Sequence, residues 1–346
     1  VVQPTPLVRR ISAFGDVALA IPVVREFLQQ HPDVRITFVS SPAFADIFKG
    51  IDRLEFFPVY VHGRHKGPLG MVRLVSDLLK KDRYDAVLDL HSVIRTHMMR
   101  FLFHMRFVPV YKMYKIREER KRLTRKDNKI KSPIKPIPEC YADVFRRAGY
   151  TVTLSNKLSP RPREVKPSTL EKVGGRRDSV WIGIAPFSQY TGKSYPLDRM
   201  FEAVKNIARF KNADIFLFGA PGAEAETLKN WSQSLDNVHT VAGSVSLGEE
   251  LDIISNLRVM VSMDSANMHL ASLMGVRVIS VWGATHHFAG FLGYGQSADD
   301  IIGAEMDCRP CSVFGNKECW KGTYECMTAI QPELIACKVE EAAGLV

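Results

Sequence analysis

The chain has 346 residues, 46% of them hydrophobic and 24% charged, with a formal net charge of +10. That content can bury a large core, and the length favours two domains over one. No run approaches the length of an apolar membrane span and no signal sequence opens the chain, so the expectation is a cytoplasmic protein rather than a membrane-spanning or exported one.

In chain order, apolar strands are predicted at 7–11, 34–40, 54–57, 84–90 and 107–111, separated by amphipathic helical stretches at 17–30, 69–81 and 93–104. Strands and helices in alternation imply a parallel sheet with helices on both faces. Between Lys112 and Lys135 lie eleven basic residues against three acidic ones, a net of +8. Such a run reads as a solvated loop, a nucleic-acid contact, or a surface for an anionic substrate or an anionic membrane face. No helix-turn-helix, zinc-finger or aromatic-interleaved RNA motif accompanies the charge, so nucleic acid is not expected as a partner.

After a proline-containing stretch at 158–167 the alternation restarts, with strands at 181–185, 215–218, 259–262 and 278–282 and helices at 197–210, 223–234, 247–256 and 266–274. A last helix near 333–343 is free to pack on either half, including back on the N-terminal one. The fold expected is α/β, with two Rossmann-like, doubly wound domains at 1–165 and 166–346. Ligands of such sheets bind beyond the carboxyl ends of the strands, and two facing domains would set a substrate cleft between them.

The most informative turn leaves the strand at 259–262 through Asp264 and Ser265. Ser265 suits an N-cap, and the helix that follows runs to Gly275. The free N–H groups of Ser265, Ala266 and Asn267 would face a ligand beyond the strand, and a diphosphate is an anion of the right shape. An ordinary capped helix is the plainer alternative. The exit of the first strand, Ile11-Ser12-Ala13-Phe14-Gly15-Asp16, has no Gly-x-Gly-x-x-Gly dinucleotide fingerprint. Asp16 there either caps a helix or serves as a carboxylate placed to accept a proton. Gly219 and Ala220, between a strand and a helix, fall near the expected cleft. Glu224 and Glu226 behind them either reach a ribose hydroxyl or only favour the helix dipole. Residues 241–244 are candidates to line a base pocket through their backbone.

Four cysteines crowd one late loop, Cys308, Cys311, Cys319 and Cys326, with Cys337 beyond and Cys140 far upstream. Cys-x-x-Cys followed by two more cysteines reads as a zinc site or as paired disulfides, but the later spacings do not match a ribbon and disulfides do not suit a cytoplasmic chain. Reduced packing cysteines are the expectation, with no metal assigned.

Three sets of residues carry a resemblance when read together. They are Arg10 to Pro22, then Asp89-Leu90-His91 with Arg95, then Asp264-Ser265-Ala266-Asn267-Met268-His269-Leu270-Ala271 followed by Gly275 and Gly283-Ala284-Thr285. In order and spacing they resemble the heptosyltransferases of glycosyltransferase family 9, over nearly the whole chain. The resemblance implies a GT-B fold and an inverting transfer of a sugar, ADP-heptose being the donor in the best-known members, to a lipopolysaccharide core precursor. It implies Asp16 as the base. Donor binding falls to Lys193, which resembles the family's lysine before an aromatic-proline pair, and to Gly219, Asp264, Ser265, Ala266, Asn267 and His269. The acceptor falls to Ser12, Gly15, His91 and Arg95, with Lys121 and Arg122 from the basic run. Backbone amides and a lysine can neutralise a diphosphate, so no cofactor is required beyond the nucleotide-sugar co-substrate. An acidic glycolipid acceptor would bring peripheral contact with the inner face of the cytoplasmic membrane.

Two motifs depart from the family. Asp264-Ser265-Ala266 stands where many members have Asp-Thr-Gly, which keeps a hydroxyl and the backbone donors. Gly283-Ala284-Thr285-His286-His287-Phe288 stands where many have Gly-Pro-Thr-Asp-Pro, which loses a carboxylate and a proline and leaves the donor sugar open. On a strand, His286 and His287 would face opposite ways and not share a metal. Two other classes stay in view: a nucleotide-sugar epimerase or hydrolase on the same fold, and a non-catalytic protein that binds anionic glycans.

Overall fold

The computed structural model describes residues 4–92 and 95–345, with the side chains of Arg95 and Thr96 outside that description. It divides into two compact units: 1–115 with 135–155, and 116–134 with 156–346. The boundary therefore falls at 155/156 rather than 165/166, and most of the basic run belongs with the second unit. Side-chain contacts explain the second difference. Lys129 Nζ donates to the carbonyls of Cys308 at 2.5 Å and Pro310 at 2.8 Å, Lys131 Nζ to that of Met306 at 3.1 Å, and the Arg120 guanidinium covers the Phe291 ring at 4.7 Å.

The first unit is a five-stranded parallel sheet of β1 (Leu7–Arg9), β2 (Ile36–Ser40), β3 (Leu54–Pro58), β4 (Val87–Asp89) and β5 (Val110–Lys112), in the order β3-β2-β1-β4-β5. Val8 is in register with Phe38 on one side and Leu88 on the other. Strands β1, β2 and β4 are buried throughout because helices cover both faces. On one face α2 (Gly67–Lys81) and α3 (Arg95–His104) bury Met71, Leu74, Leu78, Met99 and Phe103 against Leu7, Val39 and Val87. The other pair, α1 (Phe14–Gln30) and α5 (Ile137–Arg147), packs Phe27 on Phe145 with ring centroids 4.6 Å apart. The periodicity had not marked α5; Pro136 and Pro138 at its start look like loop residues, yet proline is tolerated in a first turn.

The second unit is a six-stranded parallel sheet of β6 (Val180–Ala185), β7 (Ala213–Leu217), β8 (Val238–Thr240), β9 (Val259–Met263), β10 (Arg277–Val281) and β11 (Ile301–Ile302), in the order β11-β10-β9-β6-β7-β8. Ile184 is in register with Leu217 and with Val261. Its helices are α4 (Arg117–Leu123), α6 (Pro167–Val173), α7 (Leu197–Ile207), α8 (Ala223–Ser232), α9 (Leu247–Ile254), α10 (Ala266–Leu273), α11 (Glu325–Thr328) and α12 (Pro332–Ala343). The last of these lies against α7, β9 and β10, and Ile335, Ala336 and Val339 join the core of this unit rather than that of the N-terminal one.

Each sheet has one place where the strand order reverses: between β1 and β4 in the first, between β6 and β9 in the second. Loops leaving the strands on either side of such a point diverge and leave a crevice, which is where α/β sheets bind ligands.

Candidate active site

In the second unit the crevice is flanked by the loops that follow β6 and β9, and these carry Lys193 and Asp264. Strand β9 is buried along its length, so Asp264 leaves it only 4% exposed. Lys193 ends a short helical turn, Thr191–Lys193, and its Nζ lies 2.9 Å from Asp264 Oδ2. The approach is off the line of a hydrogen bond, for Asp264 Oδ2 has no aligned donor. The ammonium therefore keeps N–H groups for another acceptor.

Ser265 occupies the N-cap position of α10, but its side chain accepts no hydrogen bond from the helix. Its Oγ instead lies 3.2 Å from Ser262 Oγ. An N-cap serine normally satisfies one first-turn N–H; here that group is left to a ligand or to water, at the positive end of the helix. Asn267 is half-buried behind this turn and His269 is buried on the helix. On the neighbouring loop, Gly219 leaves little room, since a Cβ there would stand 3.2 Å from Glu224 Oε2 and from Phe187. Glu224 Oε2 accepts from the Ala220 N–H at 2.7 Å, so this carboxylate organises its own loop. On α9, Ser246 and Glu249 form a reciprocal cap directly after the 241–244 backbone.

A residue without a place in the sequence reading holds Lys193. Gly315, in the cysteine-rich tail, has φ +74°, and a Cβ there would stand 2.5 Å from Lys193 Cγ. Gly192 is equally confined, 2.7 Å from the Gly315 carbonyl oxygen by the same construction. Its own carbonyl accepts from the Ala284 N–H at 2.8 Å. The tail thus forms the floor under the lysine. Arg309, 4% exposed, fixes that floor through the main-chain carbonyls of Gly283 at 2.5 Å, Trp282 at 3.0 Å and Thr285 at 3.3 Å. None of the six cysteines is joined in a disulfide; Cys308, Cys311, Cys319 and Cys326 line one cavity, where burial pushes the Cys326 thiol up to about 11. Among the described residues no group of three His, Cys, Asp or Glu is arranged to hold a metal ion.

His286 and His287 are not on a strand. They stack with ring centroids 4.4 Å apart at the start of a short helical turn, where His286 Nδ1 accepts from the Phe288 N–H at 3.2 Å. Burial, with His287 next, pushes His286 down to about 3. Both rings are thus neutral packing groups of the loop that replaces the family's Asp-Pro.

In the first unit the crevice lies between the loops after β1 and β4. Asp16 is in the first turn of α1, whose N-cap position, Ala13, has no side chain to cap with. Asp16 does not cap the helix either: Oδ2 pairs with Nη2 of Arg10. The Arg10 guanidinium is buried, donates from Nη1 to the Leu90 carbonyl at 2.8 Å, and lies 5.9 Å from the centre of the Tyr141 ring. Arg10 is therefore the residue that orients Asp16, a role its place in the motif alone does not disclose. Ser12 is exposed beside it and Gly15 half-buried.

Asp89 is wholly buried. Its Oδ1 accepts from the N–H groups of His91 at 3.1 Å and Ser92 at 3.0 Å, and it lies 3.7 Å from Arg9 and 3.9 Å from Arg100. It shapes the loop that presents His91. Burial, and then the cations of Arg10 and Arg9, push the His91 imidazole down to about 4. His91 is neutral near pH 7 and offers a hydrogen bond rather than a charge. Arg95 opens α3, and its side chain lies outside the described residues. Lys121 and Arg122 are exposed on α4 and belong to the second unit, not to the one that carries Asp16.

Residues 72–321 match the family profile described as glycosyltransferase family 9 (heptosyltransferase). The lipopolysaccharide core heptosyltransferase OpsX of Haemophilus influenzae is 21% identical over 280 residues, which are 79% of this chain and 77% of OpsX. A family 9 glycosyl transferase from Veillonella parvula superposes with a TM-score of 0.77 at 16% identity, over 100% of this chain and 99% of that one. Escherichia coli heptosyltransferase WaaC, solved with ADP, superposes with a TM-score of 0.67 at 17% identity, over 98% and 99%.

Proposed function

The chain belongs to glycosyltransferase family 9 and is a glycosyltransferase of the GT-B fold; from that premise we propose that it moves a heptose from ADP-heptose to a lipopolysaccharide core acceptor by direct, inverting displacement. The observation that carries the donor half is the meeting of Lys193 with Asp264 beside the uncapped start of α10, at the strand-order reversal of the second sheet. A leaving diphosphate needs charge neutralisation at the moment the sugar–oxygen bond breaks. Preorganised amides and a cation supply it without reorganisation. In this reading the Lys193 ammonium, beside Asp264, turns to the diphosphate oxygens, while the N–H groups of Ser265, Ala266 and Asn267 take the remaining charge. Gly219 and His269 shape the rest of the donor pocket. ADP is bound by WaaC, whose structure contains it, and adenine is the base proposed here.

The acceptor half rests on Asp16. An acceptor hydroxyl oxygen attacks the anomeric carbon, the bond from that carbon to the diphosphate oxygen breaks, ADP leaves, and the hydroxyl proton passes to the Asp16 carboxylate. Arg10 keeps that carboxylate pointed away from the helix terminus it would otherwise cap. Ser12, Gly15, neutral His91 and Arg95 are proposed to hold the acceptor sugar. Lys121 and Arg122 are proposed to meet its acidic groups. The experiment is a thermal-shift screen against ADP-, GDP-, UDP- and dTDP-sugars. Selective stabilisation by ADP-heptose supports the reading, and selective stabilisation by another nucleotide sugar overturns the donor assignment.

A further inference from the structure

The outward face of α2 and α3 carries large apolar side chains among its polar ones. Leu69 and Val72 on α2 are 73% and 46% exposed, Phe101 and Met105 on and just after α3 are 60% and 61% exposed, and Phe107 is 97% exposed. The two helices pack on each other and on the same side of the sheet, so these residues belong to one layer. Leu69 with Val72, and Phe101 with Met105, have the spacing of neighbours on one helix face.

Phe107 adds a second observation. It follows α3 with φ +58°, in the left-handed region where glycine is usual and a bulky side chain disfavoured. Neither burial nor backbone preference accounts for a phenylalanine there. Both would be better served by glycine or asparagine.

Carboxylates nearby are already taken: Asp77 by Arg64 at 2.8 Å, Asp82 by Arg35 at 2.6 Å and Glu55 by Lys81 at 2.5 Å. The exposed cations Lys66, Arg73, Lys80 and Arg106 pair with no carboxylate among the described residues. Apolar side chains set among unpaired cations match a bilayer surface that bears anionic headgroups, where rings and aliphatic chains enter the acyl boundary and the cations meet phosphates. No helix among the described residues is long and apolar enough to cross a membrane. We propose that the α2–α3 face of the first unit, with Phe101, Met105 and Phe107 as its inserting residues, docks peripherally on an anionic lipid bilayer.

The inference deepens the glycolipid reading, on which its relevance to turnover rests, but the surface is tested without any sugar. The full chain is sedimented with vesicles of phosphatidylcholine alone and of phosphatidylcholine with phosphatidylglycerol. Binding should require phosphatidylglycerol and weaken with salt. Replacing Arg73 and Arg106 by glutamine should cost roughly fivefold in partitioning per cation. Phe107→Asn should lower partitioning while leaving the melting temperature unchanged or higher, a split that a packing role for Phe107 would not give. Binding to both vesicle types alike, binding to neither, or a Phe107→Asn variant that partitions like the parent would overturn the proposal. So would loss of a dimer on Phe107→Asn with partitioning unchanged, since the face would then serve a second copy of the chain. Heptosyl transfer to a delipidated, soluble acceptor should persist in both variants. Vesicle binding without that transfer refutes the function reading alone, and transfer without vesicle binding refutes the docking surface alone.

Discussion

At the residue scale the account depends on two side chains whose partners differ from those expected of a surface aspartate and a surface lysine. Asp16 pairs with Arg10 instead of capping α1, and asparagine keeps an amide oxygen to accept from that guanidinium, so Asp16→Asn should leave the fold intact. Asp16→Asn is expected to lower the rate of transfer by roughly 10²- to 10⁴-fold, the usual worth of a general base. Donor affinity, measured by calorimetry on the same variant, should stay within a few-fold. Preserved transfer would remove Asp16 from the mechanism. Lys193→Ala should act in the opposite manner. A charge-assisted hydrogen bond is worth about 1.5–3 kcal/mol, so the donor dissociation constant should rise roughly ten- to hundredfold. Asp16 stood out in the sequence as a carboxylate at a strand exit, whereas Lys193 stood out through its likeness to the family's lysine before an aromatic-proline pair. Arg10 could not be assigned a role, since orienting a carboxylate six positions away depends on how the loop after β1 turns.

At the scale of elements, periodicity located most of the strands and helices because burial on both faces of a parallel sheet leaves continuous apolar runs. It failed where local chemistry is ambiguous. The first turn of α5 reads as a proline-containing loop, β8 (Val238-His239-Thr240) has one apolar residue, and β11 is only two residues long. The basic run read as a loop, a substrate surface or a membrane surface. What the composition does not show is that Lys129, Lys131 and Arg120 bind the run to the second unit through carbonyl oxygens and an aromatic ring. Those partners lie more than a hundred residues away and leave no mark on its composition.

The tail itself makes a testable contribution to the donor site. Gly315→Ala and Gly322→Ala both force a side chain onto a left-handed backbone, at φ +74° and +72°, but only at Gly315 would the new Cβ meet Lys193. Both variants should lose about 1 kcal/mol of stability. Only Gly315→Ala should weaken donor binding, and equal donor affinities in the two would refute a role for the tail in placing Lys193. On α9, burial pushes the Glu250 carboxyl up from 4.5 to about 7. The folded chain therefore retains a proton that the unfolded chain releases across that interval, and stability falls as the pH rises through it. Glu250→Gln should melt higher than the parent at pH about 8, with the gap closing as the pH is lowered toward about 4.5. A gap independent of pH would show that Glu250 is not protonated in the fold.

At the scale of the whole molecule, two doubly wound units each place their candidate groups at the point where strand order reverses: Asp16 and His91 in one, Lys193 and Asp264 in the other. The placement of these groups at strand ends was legible in the sequence, from alternation and polar turns, but the strand order that makes those ends a crevice was not. The unit boundary was less legible. Residues 156–165 carry prolines like a linker, but Asn156 already donates its N–H to the Tyr294 hydroxyl at 2.9 Å and Arg163 donates its N–H to Ser255 Oγ at 2.9 Å, so the stretch is part of the second unit. Division of labour between the units means that neither half should turn over donor alone. The direct measurement is release of ADP from ADP-heptose by the full chain, with and without a lipopolysaccharide core acceptor, together with the anomeric configuration of the product. The account predicts release that depends on acceptor and a linkage of inverted configuration. Equal release without acceptor, or a product that retains the donor's configuration, would contradict it.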